Sequence, residues 1–365
     1  MSDKEKVIIA VGGTGGHVFP GISLASHLTG KKFNTSIVTD KRGFKYLEKF
    51  KHFKIFILQS YSISKKNIFS IFISFIYLFF SILRSLIFLI FNKPSIIFGM
   101  GGYASFPICI AASILRIKLI IYENNLVIGK ANKYLLPFAK KIFVSYKDLE
   151  GVPERYQNKV VEIGNIIKKD IIHFSPNYSE KVEEKKINIL ILGGSQAAKV
   201  FAEKLPDIFL KCKKEGLNVK IFQHCLPNQN ESLNYFYKNN NINFEIFNFS
   251  DDLTKYFLQA DLAITRSGSS MLAELTNAKI PFISVPLPSS ADNHQLKNAK
   301  FYQKKKFSYL IEEKDLNERL LKLIIEIFKD KSLLVDIKEN QKQYSDKNVY
   351  HNVDSEIKKI IYEKN

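Results

Sequence analysis

A unit of strand, glycine loop and helix occurs twice in this chain, about half its length apart, and that repetition limits the folds open to it. Val7 to Val11 is a short β-rich apolar run, followed by Gly12-Gly13-Thr14-Gly15-Gly16-His17 and a helical pattern through Leu28. Ile187 to Leu192 is a second such run, leading into Gly193-Gly194-Ser195-Gln196 and a helical stretch through about Phe209. Strand and helix signals alternate after each start. Ser36 to Thr39, Ile96 to Phe98, Leu119 to Tyr122 and Lys141 to Val144 read as strands of the first half; Val219 to Gln223, Asp261 to Thr265 and Pro281 to Val285 read as strands of the second. Such alternation predicts an α/β chain with parallel sheets. At 365 residues there is room for two domains with separate cores. We therefore expect two Rossmann-like, doubly wound domains facing across a cleft, residues 1–164 and 165–348, with the last helical stretch, 349–362, packing back on the first.

A glycine loop between a strand and a helix offers backbone N–H groups at the positive end of the helix dipole, with no side chain in the way of a diphosphate. Either loop alone also fits a plain structural turn. Gly12 to Gly16 is not a P-loop, since no Gly-Lys-Ser/Thr follows, and it lacks the GxGxxG spacing of a dinucleotide site. Asp40 does end the next strand, where a ribose-binding acid of an NAD enzyme would stand, so that use remains a minor alternative.

Thr265 to Glu274, TRSGSSMLAE, follows a strand and has the small residues of a further anion-binding turn; Glu274 falls about two turns into the next helix, where a carboxylate can accept from ribose hydroxyls or simply face solvent. Pro286 to Ala299, PLPSSADNHQLKNA, is rich in groups that hydrogen-bond sugar hydroxyls. The chain has no Asp-x-Asp and no His/Cys grouping with metal spacing, so diphosphate charge is expected to fall to backbone dipoles, Lys and Arg, without a metal or other cofactor.

A formal charge of +19, from 54 Lys and Arg against 35 Asp and Glu, favours phosphate-bearing partners, although lysine-rich composition runs through the whole chain. No nucleic-acid module signature accompanies it. Cys109, Cys212 and Cys225 are too dispersed for a disulfide framework, and the N-terminus MSDKEK has no apolar signal region, so a reducing, cytoplasmic location is expected. Ile68 to Phe91 is the most apolar segment, yet Arg84 divides it into 16 residues and seven. Spanning wants about 20 apolar residues. A buried helix and a helix lying in the membrane interface, flanked by Lys65, Lys66 and Lys93, both remain, and we favour partial insertion.

These segments together resemble a known family. GGTGGHVFPG at 12–21, FGMGGYASFP at 98–107, YENNLVIGKAN at 122–132, GNIIKKD at 164–170, GGSQAA at 193–198, TRSGSSMLAE at 265–274 and ADNHQLKNA at 291–299 are similar, in order, to the MurG enzymes, GT-B-fold glycosyltransferases of family 28. The resemblance implies inverting transfer of N-acetylglucosamine from UDP-N-acetylglucosamine to the 4-hydroxyl of the undecaprenyl-linked muramyl-pentapeptide, at the cytoplasmic face of the cell membrane. It places donor on the second domain and lipid acceptor on the first. Ser195 and the Ser269-Ser270-Met271 turn would hold the donor diphosphate, Glu274 the ribose, and His294 with Gln295 the sugar hydroxyls. Thr14, Gly15, Gly16 and Asn125 would line the cleft, and Gly15, Gly16, Gly101, Gly102 and Tyr103 would form an acceptor diphosphate site. His17, an imidazole beside the cleft loop, is the candidate base, with a structural helix-start histidine as its alternative. The chain departs from the family at Tyr122-Glu123-Asn124-Asn125, at Ile166-Ile167-Lys168 where an arginine is usual, at Ser250 where an apolar residue lies near uracil, and at Ser267 to Met271. Lysine lacks arginine's planar fork, which alters the donor contact expected at Lys168. Competing readings are another two-domain UDP-sugar enzyme, such as an epimerase or a transferase with a different acceptor, and a non-catalytic lipid-binding protein at the membrane surface.

Overall fold

The computed structural model describes residues 5–60, 67–175, 186–194, 198–248, 250 and 252–362. The chain divides into two compact units, Met1–Lys168 with Asp346–Asn365, and Lys169–Ser345. Unit 1 holds β1 (Lys6–Ala10), β2 (Asn34–Thr39), β3 (Lys54–Ile57), β4 (Ile96–Gly99), β5 (Lys118–Glu123), β6 (Lys141–Val144) and β7 (Val160–Glu162), ordered β3-β2-β1-β4-β5-β6-β7. Unit 2 holds β8 (Lys186–Leu192), β9 (Asn218–His224), β10 (Asn243–Phe247), β11 (Leu262–Thr265), β12 (Phe282–Ser284) and β13 (Ser308–Leu310), ordered β10-β9-β8-β11-β12-β13. Every pairing between these strands is parallel.

Parallel strands covered by helices on both faces read as continuous apolar runs, and the central strands do: Ile8, Ile9, Ala10, Ile97, Phe98, Ile120 and Ile121 in unit 1, and Ile189 to Leu192 with Leu262 to Ile264 in unit 2, are all buried. The strand order reverses direction between β1 and β4 in unit 1, and between β8 and β11 in unit 2. Crevices at such switch points, outside the carboxyl ends of the strands, are where doubly wound sheets bind ligands. The glycine-rich turns follow those four strands.

The unit boundary falls beyond Gly164 because the next three residues stay with unit 1. Asn165 and Ile166 are 1% exposed and Ile167 is 2% exposed. Asn165 N–H donates to Asp346 Oδ1 (2.7 Å), Ile166 N–H to Tyr122 Oη (3.0 Å), and Tyr350 Oη donates to the Ile167 carbonyl (2.6 Å). Gly164 sits at φ +95°, and a Cβ there would stand 2.8 Å from Asp346 Oδ1, so the close approach of this carboxylate excludes a side chain. The C-terminal helix, Val349–Tyr362, joins unit 1 through Asp354, 2.7 Å from His27 Nε2, and through Lys118 Nζ, which donates to the Ile360 and Ile361 carbonyls.

The apolar segment is one 25-residue helix, Ile68–Asn92, started by a capping box between Asn67 and Ser70. Its polarity is reversed. Ser74, Ser81 and Ser85 are buried, each returning its hydroxyl to the carbonyl four residues back, whereas Phe69, Phe72, Phe75, Phe79, Phe80 and Phe91 are more than half exposed. Small, internally satisfied side chains let the helix lie against its neighbour Phe106–Ile114 and turn its rings outward. By length and composition it could cross a membrane, but only 22% of its most apolar stretch is buried within the protein, which rules out the buried-helix reading. Arg84 lies on the surface with Nη1 donating to Gln59 Oε1 at 3.0 Å. Lys65 and Lys66 lie outside the described residues.

Candidate functional site

In unit 1, two glycine turns meet at the switch point. Gly12 follows β1, and Gly101 and Gly102 follow β4 at φ +91° and +75°. A Cβ on Gly12 would stand 2.6 Å from the Gly101 carbonyl oxygen, so only glycine allows the two backbones to come this close. Thr14 is the N-cap of helix Gly15–Gly30, which places Gly15, Gly16 and His17 in its first turn. The His17 ring lies on the second glycine turn: its Cε1 and Nδ1 are 2.9 and 3.0 Å from where a Gly101 Cβ would be, and Cδ2 is 3.1 Å from that of Gly102. His17, Gly15, Gly16, Gly101, Gly102 and Tyr103 are therefore gathered at one place.

The YENN segment ends β5, the next strand along. Glu123 is 2% exposed, and its carboxylate accepts from Asn125 N–H (3.1 Å) and Nδ2 (3.0 Å), Gly129 N–H (2.9 Å) and Asn132 Nδ2 (3.0 Å). A carboxylate with this many donors can stay charged while buried and fixes the loop around it. Asn124 Nδ2 donates to the Gly16 carbonyl at 3.2 Å, tying this loop to the first glycine turn, and Asn125 is half-buried beside it. Neither Glu123 nor Asn132 was given a role in the sequence, although both lie in the YENNLVIGKAN stretch at 122–132.

Asp40 is buried and its two oxygens are engaged within the chain, which disfavours the NAD alternative. Its Oδ1 caps the helix Lys41–Leu47 by accepting from Gly43 N–H (2.9 Å), and Oδ2 accepts from Arg42 Nε (2.9 Å) and Nη2 (2.5 Å). Burial works to lower the pKa of the Arg42 guanidinium, but hydrogen bonds to Tyr103 and Asp40 outweigh it and hold the pKa above its ordinary value. Lys168 stands beside Lys49, whose pKa is lowered first by burial and then by the charge of Lys168.

In unit 2, Ser195 lies outside the described residues. After β11, Arg266 is 7% exposed; its Nη1 donates to the Val285 and Pro286 carbonyls, Nη2 pairs with Glu313 Oε2 at 2.5 Å, and its guanidinium carbon sits 5.0 Å from the Phe201 ring centre. Arg266 thus braces the turn from below. Above it, Gly268 is the N-cap of helix Ser269–Asn277, and a Cβ there would meet nothing within 4 Å. Ser269 is buried, while Ser270, Met271 and Glu274 are half-buried on the first turn and a half of that helix. Asn298 Nδ2 donates to the Ser267 carbonyl (3.2 Å), fastening the helix His294–Lys304 to the same turn. That helix is entered through two successive left-handed residues, Asp292 at φ +51° and Asn293 at φ +54°, residue types that tolerate it. His294 Nδ1 donates to the Ala291 carbonyl (2.7 Å), and Gln295 Oε1 accepts from Leu287 N–H (3.0 Å). Ser250 follows the edge strand β10, and its hydroxyl closes a local turn onto the Asp252 carbonyl at 2.7 Å.

Both units thus set glycine turns at their parallel-sheet switch points, an arrangement that suits nucleotide-sugar transferases of the GT-B fold, and comparison with known proteins agrees in fold and family. Residues 7–144 match the glycosyltransferase family 28 N-terminal domain and residues 188–353 match the family 28 C-terminal domain; the chain belongs to this glycosyltransferase family. It is 36% identical over 362 residues to the UDP-N-acetylglucosamine–N-acetylmuramyl-(pentapeptide) pyrophosphoryl-undecaprenol N-acetylglucosamine transferase of Pelagibacter ubique, covering 99% of each chain. The protein of that name from Rickettsia felis is 34% identical over 344 residues, covering 92% of this chain and 94% of its own. Among solved structures, MurG of Acinetobacter baumannii superposes with a TM-score of 0.77 at 24% identity, covering 98% of this chain and 99% of that one. A UDP complex of S. aureus MnaA reaches 0.68 at 16% identity, covering 98% and 97%. At these identities the structures speak for the fold.

Proposed function

We infer that this glycosyltransferase moves N-acetylglucosamine from UDP-N-acetylglucosamine to the 4-hydroxyl of the undecaprenyl-linked N-acetylmuramyl-pentapeptide, a step of peptidoglycan synthesis. The observation that carries this reading is the 36% identity, over 99% of the chain, to a relative named for that transfer. The reversed helix Ile68–Asn92 supports a lipid-linked acceptor: its exposed rings suit partial insertion at the cytoplasmic face of the membrane, with Lys93 among the residues that would meet anionic headgroups.

In this reading the second unit holds the donor. Gly268 puts no side chain at the N-terminus of helix Ser269–Asn277, where Ser269, Ser270 and Met271 receive the diphosphate, with Ser195 as a further candidate contact. Glu274 accepts from ribose hydroxyls. Gln295, its oxygen committed to Leu287, offers its NH2 to a sugar hydroxyl, and His294, protonated at Nδ1, offers Nε2 as an acceptor. Lys168 and Ser250 take uracil or phosphate contacts. Thr14, Gly15, Gly16 and Asn125 are further donor-contact candidates, and in the first unit Gly15, Gly16, Gly101, Gly102 and Tyr103 receive the acceptor diphosphate.

The acceptor O4 attacks the anomeric carbon from the face opposite UDP. The O4–H proton passes to His17, the C1–O4 bond forms as the bond to UDP breaks, and UDP leaves with the electron pair and inverted stereochemistry behind it. The seat of the His17 ring on Gly101-Gly102, beside the residues assigned to the acceptor, supports this role. The diphosphate charge is met by helix ends and cationic side chains, so the reaction proceeds without a metal.

The test is incubation with UDP-N-acetylglucosamine and the lipid-linked muramyl acceptor, with and without chelator. We expect UDP and lipid-linked disaccharide in both. No disaccharide would reject the transfer, loss with chelator would reject metal independence, and donor binding without turnover would favour the non-catalytic reading.

A further inference from the structure

The residues assigned above to the acceptor diphosphate, Gly15, Gly16, Gly101, Gly102 and Tyr103, carry no formal charge. A helix N-terminus supplies about half an elementary charge, well short of what a diphosphate brings. We propose that Arg42 supplies the missing cation, held by Asp40 and Tyr103 as the residue that selects a diphosphate over a monophosphate on the acceptor side. This rests on the acceptor reading given under Proposed function.

The argument is geometric. The guanidinium lies flat against Gly13 of the first glycine turn: a Cβ there would stand 3.0 Å from Cζ, Nε and Nη2. Nη1 donates to Tyr103 Oη on the second turn, and Cζ is 4.6 Å from the Tyr103 ring centre. Arg42 therefore touches both turns that make the pocket. Its orientation is set by Asp40, whose side chain is 5% exposed and whose oxygens are taken up by Arg42 and Gly43 N–H, while the arginine side chain is 48% exposed. The acid is buried behind and the cation faces out. Among the described residues, Asp40 and Tyr103 use three of the five guanidinium N–H bonds, leaving a second N–H on each terminal nitrogen. Those two donors, with the charge, are what remains of the guanidinium to meet a phosphate. Lysine would keep the charge and lose the fork.

The experiment is steady-state kinetics on the full chain with UDP-N-acetylglucosamine and the detergent-solubilised lipid acceptor, comparing wild type, Arg42→Gln and Arg42→Lys. Farnesyl diphosphate and farnesyl monophosphate serve as inhibitors read against the acceptor. We expect Arg42→Gln to raise the acceptor KM roughly tenfold, to leave the donor KM within about twofold, and to bring the two inhibitors to nearly equal potency, with Arg42→Lys between it and wild type. A merely structural arginine would move both KM values together and leave the inhibitor ratio at its wild-type value, and either result overturns the proposal. Should Arg42→Gln fail to fold, the inhibitor ratio of Arg42→Lys decides alone: unchanged, it overturns the assignment. An inactive wild type would instead sink the acceptor reading, and this proposal with it.

Discussion

Two arginines stand just beyond strand ends next to the two switch points, and they do opposite things. Arg266 in unit 2 is buried, and its donors are spent on two carbonyls and Glu313 inside its own unit. Arg42 in unit 1 is half exposed, locked from behind by a buried aspartate, with a turn of glycine on either side. The glycines differ in the same sense. Gly12 is glycine because a neighbouring backbone occupies the space of its side chain, whereas Gly268 opens onto empty space. One topology thus yields a tightly packed turn with a cation at its rim and an open turn with a cation beneath it.

That contrast can be broken by substitution. The largest effect is expected from Arg266→Met, which leaves the Glu313 carboxylate and two carbonyls without their donor. Breaking a largely buried pair costs about 3–5 kcal/mol, lowered here because Glu313 is 25% exposed. We expect a loss of about 2–3 kcal/mol in urea unfolding, monitored on unit 2; a loss under about 0.5 kcal/mol would show that the brace carries nothing. Next comes Gly12→Ala, forced against the Gly101 carbonyl, with an overpacking cost of about 1–3 kcal/mol and loss of turnover, against Gly268→Ala, expected within about 1 kcal/mol of wild type because its Cβ has room. Equal thermal midpoints for these two variants would erase the distinction between the turns. His17→Ala should keep UDP-N-acetylglucosamine binding and lower kcat by about 10²–10⁴, the usual worth of a general base, and unchanged turnover would return His17 to a structural role.

The smallest effect concerns His224, at the end of β9. Its ring stacks on Phe247, and burial lowers its pKa below the ordinary 6.5. Below that value the unfolded chain binds a proton that the folded chain refuses, so stability should fall as pH drops from 6.5 toward the lowered folded value. Urea midpoints at about pH 7.5 and about pH 5.5 should differ less in His224→Gln than in wild type; an equal difference would assign the acid sensitivity elsewhere.

Much of this was legible in the chain. Most central strands announced themselves as apolar runs, and the turns after β1, β8 and β11 were read from those runs, whereas the Gly101-Gly102 turn after β4 came only from the family resemblance. The strands not read, β3, β7, β10 and β13, all lie at or next to sheet edges, and three of them have only three or four residues. With fewer neighbours to bury against, such strands carry no continuous apolar signal. The site was half visible. Motifs gave the glycines and His17, but Arg42 is one cation among 54 and acquires a role only by meeting Tyr103, 61 residues away. Asp346 likewise meets Asn165 across 181 residues. Pairings of that separation leave no local pattern. The helix Ile68–Asn92 was ambiguous because Arg84 interrupts its apolar run, and nothing in the run announced that Ser74, Ser81 and Ser85 are buried while the rings face outward.

The return of the chain to unit 1 has a consequence for its birth on the ribosome. His27 waits for Asp354, and Asn165 for Asp346, while all of unit 2 is translated between them. N-terminal domains ordinarily fold first during synthesis. Here the earlier-made unit stays unfinished until the later one has emerged, so nascent chains arrested before residue 346 should hold a protease-sensitive first half beside a second half still being made.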